Sequence, residues 1–250
     1  MQTYTFENGH TTLFEFIEPN IAKAQTFTVV YTHGFCSDPW GRKPEEVKKW
    51  CIANGTGFFR YELAGHGSDK ARFTETTINT YKAQLTEILT KIVETPVVVV
   101  GSSLGGWLSL ISACNFPDKV IGFIGLAAAP DFLKAYMDAF FKPEHKKLLE
   151  RQGYIEFPTR DFTYIITGKM IASGYENHTL DRESLPFKGK VRLIQGMKDA
   201  SLPWKTALAI ADKLESDDVR VILLKNSTHR LNEDEDIVEL QRSLDDFISQ

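Results

Sequence analysis

Runs of β-branched and aromatic residues alternate along the chain with stretches whose apolar positions recur every three or four residues. The first pattern predicts strands and the second amphipathic helices, because side chains repeat every second residue on a strand and about every 3.6 residues on a helix. Residues 3–6 and 12–17 flank Asn8-Gly9, a pair favoured in tight turns, and predict an opening β-hairpin. Strands follow over residues 27–31, 57–63, 97–100, 120–126, 191–195 and 219–224. Helices are expected over residues 44–53, 77–93, 104–113, 205–214 and 237–248. The strand of consecutive valines, Val97 to Val100, leaves no polar face and must be covered on both sides. This alternation predicts an α/β chain with a mostly parallel central sheet and helices on both faces. In such sheets, sites lie beyond the carboxyl ends of the strands.

The rhythm breaks after Ala127-Ala128-Ala129-Pro130. Over residues 131–187, Phe132, Tyr136, Met137, Phe140, Phe141 and Met170 mix with Lys142, Lys146, Lys147 and Arg151. With no glycine-rich linker or internal repeat, this stretch reads as a small helical cap inserted over the core. The expected division is core 1–130, cap 131–187 and core 188–250. The cap's apolar side chains suit either its own core or an acyl pocket. Its basic residues suit either a solvated face or attraction of anionic substrates.

Composition narrows the function. The 250 residues are 42% hydrophobic and 25% charged, with a net charge of −4 and no lysine/arginine run, so a nucleic-acid footprint is not expected. The chain begins without a basic segment followed by an apolar core, and no apolar run approaches the ~20 residues of a membrane span, which predicts neither export nor membrane insertion. Cys36, Cys51 and Cys114, an odd set without metal or disulfide spacing, suit a reducing compartment, and the cytoplasm is the expectation.

The strand over 97–100 runs into Gly101-Ser102-Ser103-Leu104-Gly105 and then a helix, the setting of a serine nucleophile elbow with Ser103 at its apex. Such a turn holds its serine at positive φ and packs strand tightly on helix, hence the flanking glycines. A serine hydroxyl needs a base, and the base needs an acid to fix its tautomer. In this architecture the order along the chain is serine, acid, histidine, which sets aside His10, His33 and His66. His145 and His178 fall in the insertion, whereas His229 follows the last strand and is selected. Asp199, in the loop after the strand over 191–195, is preferred as the acid, with Asp131 its rival. The acids at Glu233 to Asp236 read as the N-terminal turn of a helix capped by Asn232.

An oxyanion needs two backbone donors, one after the nucleophile and one from an earlier strand's loop. Leu104 and Phe35 fill these positions, the latter after Gly34. His33 is expected to orient that loop, His66 to brace its neighbour, and Cys36 to act as a small apolar residue whose position could make thiol reagents inhibitory. Neither a phosphate loop, a dinucleotide fingerprint nor metal-ligand spacing is present in the sequence, so no cofactor is expected.

Taken together, the chain resembles the α/β-hydrolase superfamily over its whole length, with Ser103, Asp199 and His229 on its triad positions. A serine nucleophile separates it from superfamily members that use aspartate or cysteine and favours ester or thioester substrates. Within the superfamily, Gly-Ser-Ser-Leu-Gly-Gly-Trp, Gly-Met-Lys-Asp with Pro203-Trp204, and His229-Arg230 look like a mitochondrial branch of palmitoyl-protein thioesterases and acyl-glucuronide esterases. The His33-Gly34-Phe35 loop departs from the Pro-Gly-Tyr type expected there, and the lack of a preceding transit peptide suggests an untargeted relative. The resemblance implies hydrolysis of a small-molecule or acylated-protein substrate. A ligand-binding module of the same fold and an acyltransferase are the alternatives.

Overall fold

Val97 and Val99 pack into one hydrophobic cluster and Val98 and Val100 into another, on opposite faces of one sheet. The computed structural model describes residues 1–20, 26–158 and 163–248. Its strands are β1 (Gln2–Thr5), β2 (Thr11–Ile17), β3 (Thr28–Thr32), β4 (Gly57–Tyr61), β5 (Val97–Ser102), β6 (Val120–Leu126), β7 (Tyr154–Pro158), β8 (Thr163–Thr167), β9 (Lys190–Gly196) and β10 (Val219–Leu224). The helices are α1 (Arg42–Asn54), α2 (Ile78–Glu87), α3 (Leu104–Asn115), α4 (Phe132–Phe140), α5 (Pro143–Gln152), α6 (Gly168–Glu176), α7 (Lys205–Lys213) and α8 (Asp234–Asp245). The central sheet runs β1-β2-β4-β3-β5-β6-β9-β10, antiparallel in the β1–β2 and β2–β4 pairs and parallel thereafter.

Both faces are covered. Val47 and Trp50 of α1 join Leu240 and Leu244 of α8 in one cluster, while Tyr81 and Leu85 of α2 join Trp107 of α3 and Ile210 of α7 in the other. β5 lies between β3 and β6 in the sheet, so its apolar sequence follows directly from burial on both faces. Helices α2 and α3 begin where the apolar spacing predicts. Helix α2 is capped by Thr77, whose hydroxyl accepts the Thr80 N–H at 3.1 Å.

Between β6 and β9 the chain leaves the sheet. The insertion is helical, as the sequence predicts, and also contains the antiparallel β7–β8 hairpin. Ile155, Phe157 and Ile166 of that hairpin face inward, an alternation too short to stand out among mixed residues. Lys142, Lys146, Lys147 and Arg151 are exposed, consistent with a solvated face, whereas Met137 and Met170 are buried. The side chain of Phe140 lies outside the described set. Asp131 fastens the two ends of the insertion. Its carboxylate accepts the N–H groups of Thr179 and Leu180 at 2.9 and 2.8 Å, and Trp107 of α3 donates its indole N–H to Thr179 Oγ1 at 2.7 Å.

At α8 the cap differs from expectation. Glu233, not Asn232, precedes the helix, and buried Asp236 accepts the Glu233 N–H at 2.9 Å and the Ser227 hydroxyl. Burial of Asp236 lets its carboxylate satisfy both donors, so the acidic run also braces the loop after β10. No helix among the described residues is long and apolar enough to cross a membrane.

Candidate active site

Ser103 sits between β5 and α3 at φ 54°, ψ −117°, a backbone conformation that costs a non-glycine residue roughly 1–3 kcal/mol. Neighbouring bonds hold it there. The Ser103 N–H donates to the Leu126 carbonyl at 2.9 Å, and its own carbonyl accepts the Ala129 N–H at 3.1 Å. The flanking glycines are required by contact. A β-carbon on Gly101 would lie 2.2 Å from the Gly105 carbonyl oxygen, and one on Gly105 would lie 2.1 Å from the Thr32 carbonyl oxygen. Backbone cannot yield as a side-chain tip can, so Gly105→Ala is expected to cost about 3 kcal/mol, read as a lower urea midpoint with unchanged slope. Ser102 is turned elsewhere and shares a hydrogen bond with the buried Tyr31 hydroxyl.

The structure brings His229 and Asp199 to the same strand ends. His229 Nε2 lies 3.0 Å from Ser103 Oγ, and its Nδ1 lies 2.7 Å from Asp199 Oδ2. A carboxylate can only accept, so Nδ1 carries the proton and the neutral ring presents Nε2 as acceptor to the Ser103 hydroxyl. The Asp199 side chain is fully buried, and the His229 side chain is 28% exposed. Burial alone would raise the Asp199 pKa, but the hydrogen bond and charge of His229 and the N–H groups of Leu202 and Ser201 hold it below the usual carboxylate value. Both amides reach Oδ1 at 2.8 Å, so the acid is ionised and fixed. The loop carrying His229 is itself held by α1. Lys43 donates to the Arg230 carbonyl, and Arg42 donates to that of Asn232 at 2.8 Å.

The remaining histidines lie elsewhere. His145 accepts the Lys142 N–H at 3.1 Å, and His178 pairs with Asp181 at 3.0 Å, both inside the insertion. Asp131 spends both carboxylate oxygens on Thr179 and Leu180, which explains its position without a partner at His229.

The loop after β3 approaches Ser103 closely, since a β-carbon on Gly34 would lie 3.3 Å from Ser103 Cβ. Among the described residues, neither the Phe35 nor the Leu104 N–H donates a hydrogen bond. Two neutral histidines shape this loop. His33 accepts the Leu63 N–H on Nε2 at 2.9 Å and donates Nδ1–H to the Gly34 carbonyl at 2.8 Å. His66 accepts the Cys36 N–H on Nε2 at 3.1 Å and donates Nδ1–H to the Ala64 carbonyl at 3.0 Å. Burial pushes His33 down to about 3 and lowers His66 as well. The unfolded chain therefore binds protons that the folded one refuses, and stability from His33 is complete above its ordinary value of 6.5 and declines as pH falls toward 3. The urea-derived stability is expected to fall between pH 7 and pH 5, His33 contributing at most about 1.4 kcal/mol per unit, and the slope should flatten in a His33→Gln variant. Burial raises the Cys36 thiol to about 12, so it is not a reactive thiolate.

A family model described as the alpha/beta hydrolase family matches residues 29–240. The chain belongs to the α/β-hydrolase family. "Palmitoyl-protein thioesterase ABHD10, mitochondrial" of Mus musculus is 36% identical over 237 residues, 92% of this chain and 79% of that protein. The Homo sapiens protein of the same name is 33% identical over 237 residues, 92% and 77% of the two chains. The structure of mouse "Alpha/beta hydrolase domain-containing protein 10" superposes with a TM-score of 0.86 at 31% identity, covering 99% of this chain and 97% of that one. A putative hydrolase from Agrobacterium vitis S4 superposes at 0.92 over 99% of each chain but is 24% identical, a likeness of fold alone. The expected cytoplasmic location is corrected by relatives named as mitochondrial. Unpaired cysteines report a reducing environment, not which compartment supplies it.

In this α/β hydrolase the insertion reaches the loop after β3 through aromatic side chains that the sequence did not single out together. Phe35 stacks on Tyr164 of β8 with ring centroids 5.6 Å apart and meets Phe132 of α4 at 5.8 Å and Phe73 at 5.4 Å. Tyr164 carried no sequence signal, because its partner lies across the fold. Gln195 did carry one, as a polar side chain at the end of an otherwise buried strand immediately before the Asp199 loop.

Proposed function

We propose that this hydrolase cleaves carboxylic thioesters and esters through an acyl-enzyme. Ser103 is the nucleophile, His229 the general base and then acid, and Asp199 the group that fixes the His229 tautomer and stabilises its imidazolium form. The observation that carries this reading is the unbroken line from Ser103 Oγ through both His229 nitrogens to Asp199, at 3.0 and 2.7 Å, with Ser103 on a positive-φ turn. His229 takes the hydroxyl proton as Oγ attacks the acyl carbon, and the oxyanion is received by the Phe35 and Leu104 N–H groups. Collapse expels the thiol or alcohol, protonated by His229, and water then repeats the sequence in reverse to release the acid. The unengaged amides of Phe35 and Leu104 beside Ser103 support this role.

Residues 131–187 form the cap in this reading, over a core of residues 1–130 and 188–250. Acylated proteins are the favoured substrate class because the relatives are named palmitoyl-protein thioesterases; acyl-glucuronide esters, implied by the resemblance of the sequence motifs, come next. A serine-directed phosphonate probe, followed by acyl thioesters and esters graded by chain length, tests the proposal. Expected are stoichiometric labelling at Ser103 and turnover that depends on the acyl chain. Tight small-molecule binding without labelling would favour a binding module, and capture of the acyl group by added alcohols in place of hydrolysis would favour acyl transfer.

A further inference from the structure

Gln195 lies at the carboxyl end of β9 and is 1% exposed. Its Nε2 is 2.9 Å from Asp199 Oδ2, the same oxygen that accepts His229 Nδ1–H. That contact fixes the amide's orientation, since the opposite one would set Oε1 against a carboxylate oxygen. The consequence is an orphan. Oε1 is sealed from solvent and has no hydrogen-bond partner among the described residues. A buried acceptor left unsatisfied opposes folding, and an apolar side chain of equal length would occupy this strand position without that penalty. Its other contact, to the Gly196 carbonyl, is longer at 3.3 Å, so the amide is spent chiefly on Asp199.

We infer that Gln195 is a positioning residue for the hydrolytic reaction, holding the Asp199 carboxylate in the plane that His229 Nδ1–H requires. The inference rests on the assignment of Ser103, His229 and Asp199 made above. Ser201 and Leu202 hold Oδ1, and Gln195 and His229 hold Oδ2, so all rotation of the carboxylate is opposed from two sides. Without the amide, only His229 restrains Oδ2, and the reacting group would have to hold its own support in place. The undivided charge on Oδ2 would also bind the imidazolium more strongly. His229 is the titratable side chain facing Asp199. The other contacts are neutral N–H groups.

Gln195→Met tests this in the full chain, because methionine keeps the length and removes both the donor and the orphan acceptor. Thioester hydrolysis across about pH 5 to 9 should show kcat reduced about tenfold at unchanged KM and an acid limb of kcat/KM moved to higher pH. Tm should match or exceed that of the parent, a result a merely structural glutamine would not give. Gln195→Glu donates only while protonated, so its activity should recover toward the acid side and fall as pH rises. Parental kcat and pH profile in Gln195→Met would overturn the inference. So would a loss of activity that follows a lowered Tm with the pH profile unmoved. If the parent is not labelled by the phosphonate and Ser103→Ala does not impair it, the site assignment itself fails and takes the inference with it. That outcome is read on different proteins from the first two.

Discussion

Ser103→Ala is expected to lower kcat by on the order of 10⁴- to 10⁶-fold while leaving Tm close to that of the parent. The substitution removes the oxygen proposed to attack and nothing that the fold needs. Ser103 Oγ is bonded to His229 Nε2, a partly exposed group that water can serve instead, and the bonds that hold the turn come from the Ser103 backbone. Measuring turnover of a p-nitrophenyl ester and an acyl thioester beside a thermal melt separates the two effects. Ser102→Ala is the matched control: it forfeits the bond to Tyr31 and should keep turnover. Substantial hydrolysis by Ser103→Ala would remove this residue from the reaction.

The second large effect is at the acid. Asp199→Asn should reduce kcat about 10⁴-fold, because an amide can present its NH₂ to Nδ1 and so leave the Nε2–H facing Ser103, the tautomer that cannot take a proton. Asp131→Asn should behave in the opposite sense. One amide end cannot accept from Thr179 and Leu180 as a carboxylate does, so about 1–2 kcal/mol of stability should go while hydrolysis persists. Paired kcat values and urea midpoints decide between the two acids, and full turnover in Asp199→Asn would exclude it. The stability that Asp199 contributes has a defined pH window. Its folded value lies below the ordinary 3.8, so the contribution is complete above that pH and is lost as pH falls through the lower, folded value.

Much of the architecture was legible because it is written locally. A valine run needs two covered faces, helical spacing needs one, and Gly101-Ser102-Ser103-Leu104-Gly105 needs backbone approaches that only glycine tolerates. The position of His229 followed from order along the chain, since strand ends converge on one edge of a parallel sheet. Other features depended on who meets whom. The β7–β8 hairpin lay hidden because its alternation is brief, and the cap of α8 was misplaced by one residue because Asp236 answers to Ser227 as well as to its own helix. The compartment was misread because thiols sense reduction and carry no address.

The amino-acid sequence by itself determined the order of strands and helices in the core, the apex of the elbow and the family, through periodicity, glycine chemistry and motif order. Chain order favoured Asp199 over Asp131, but both follow a strand, and it was packing that set Asp199 against His229 and tied Asp131 to the insertion. Tertiary structure also decided that Phe35 lies against Tyr164 and Phe132, and that Gln195 donates to Asp199 at the cost of an unpaired Oε1. Contacts of that kind depend on the orientation of side chains across strand ends, which no spacing along the chain records.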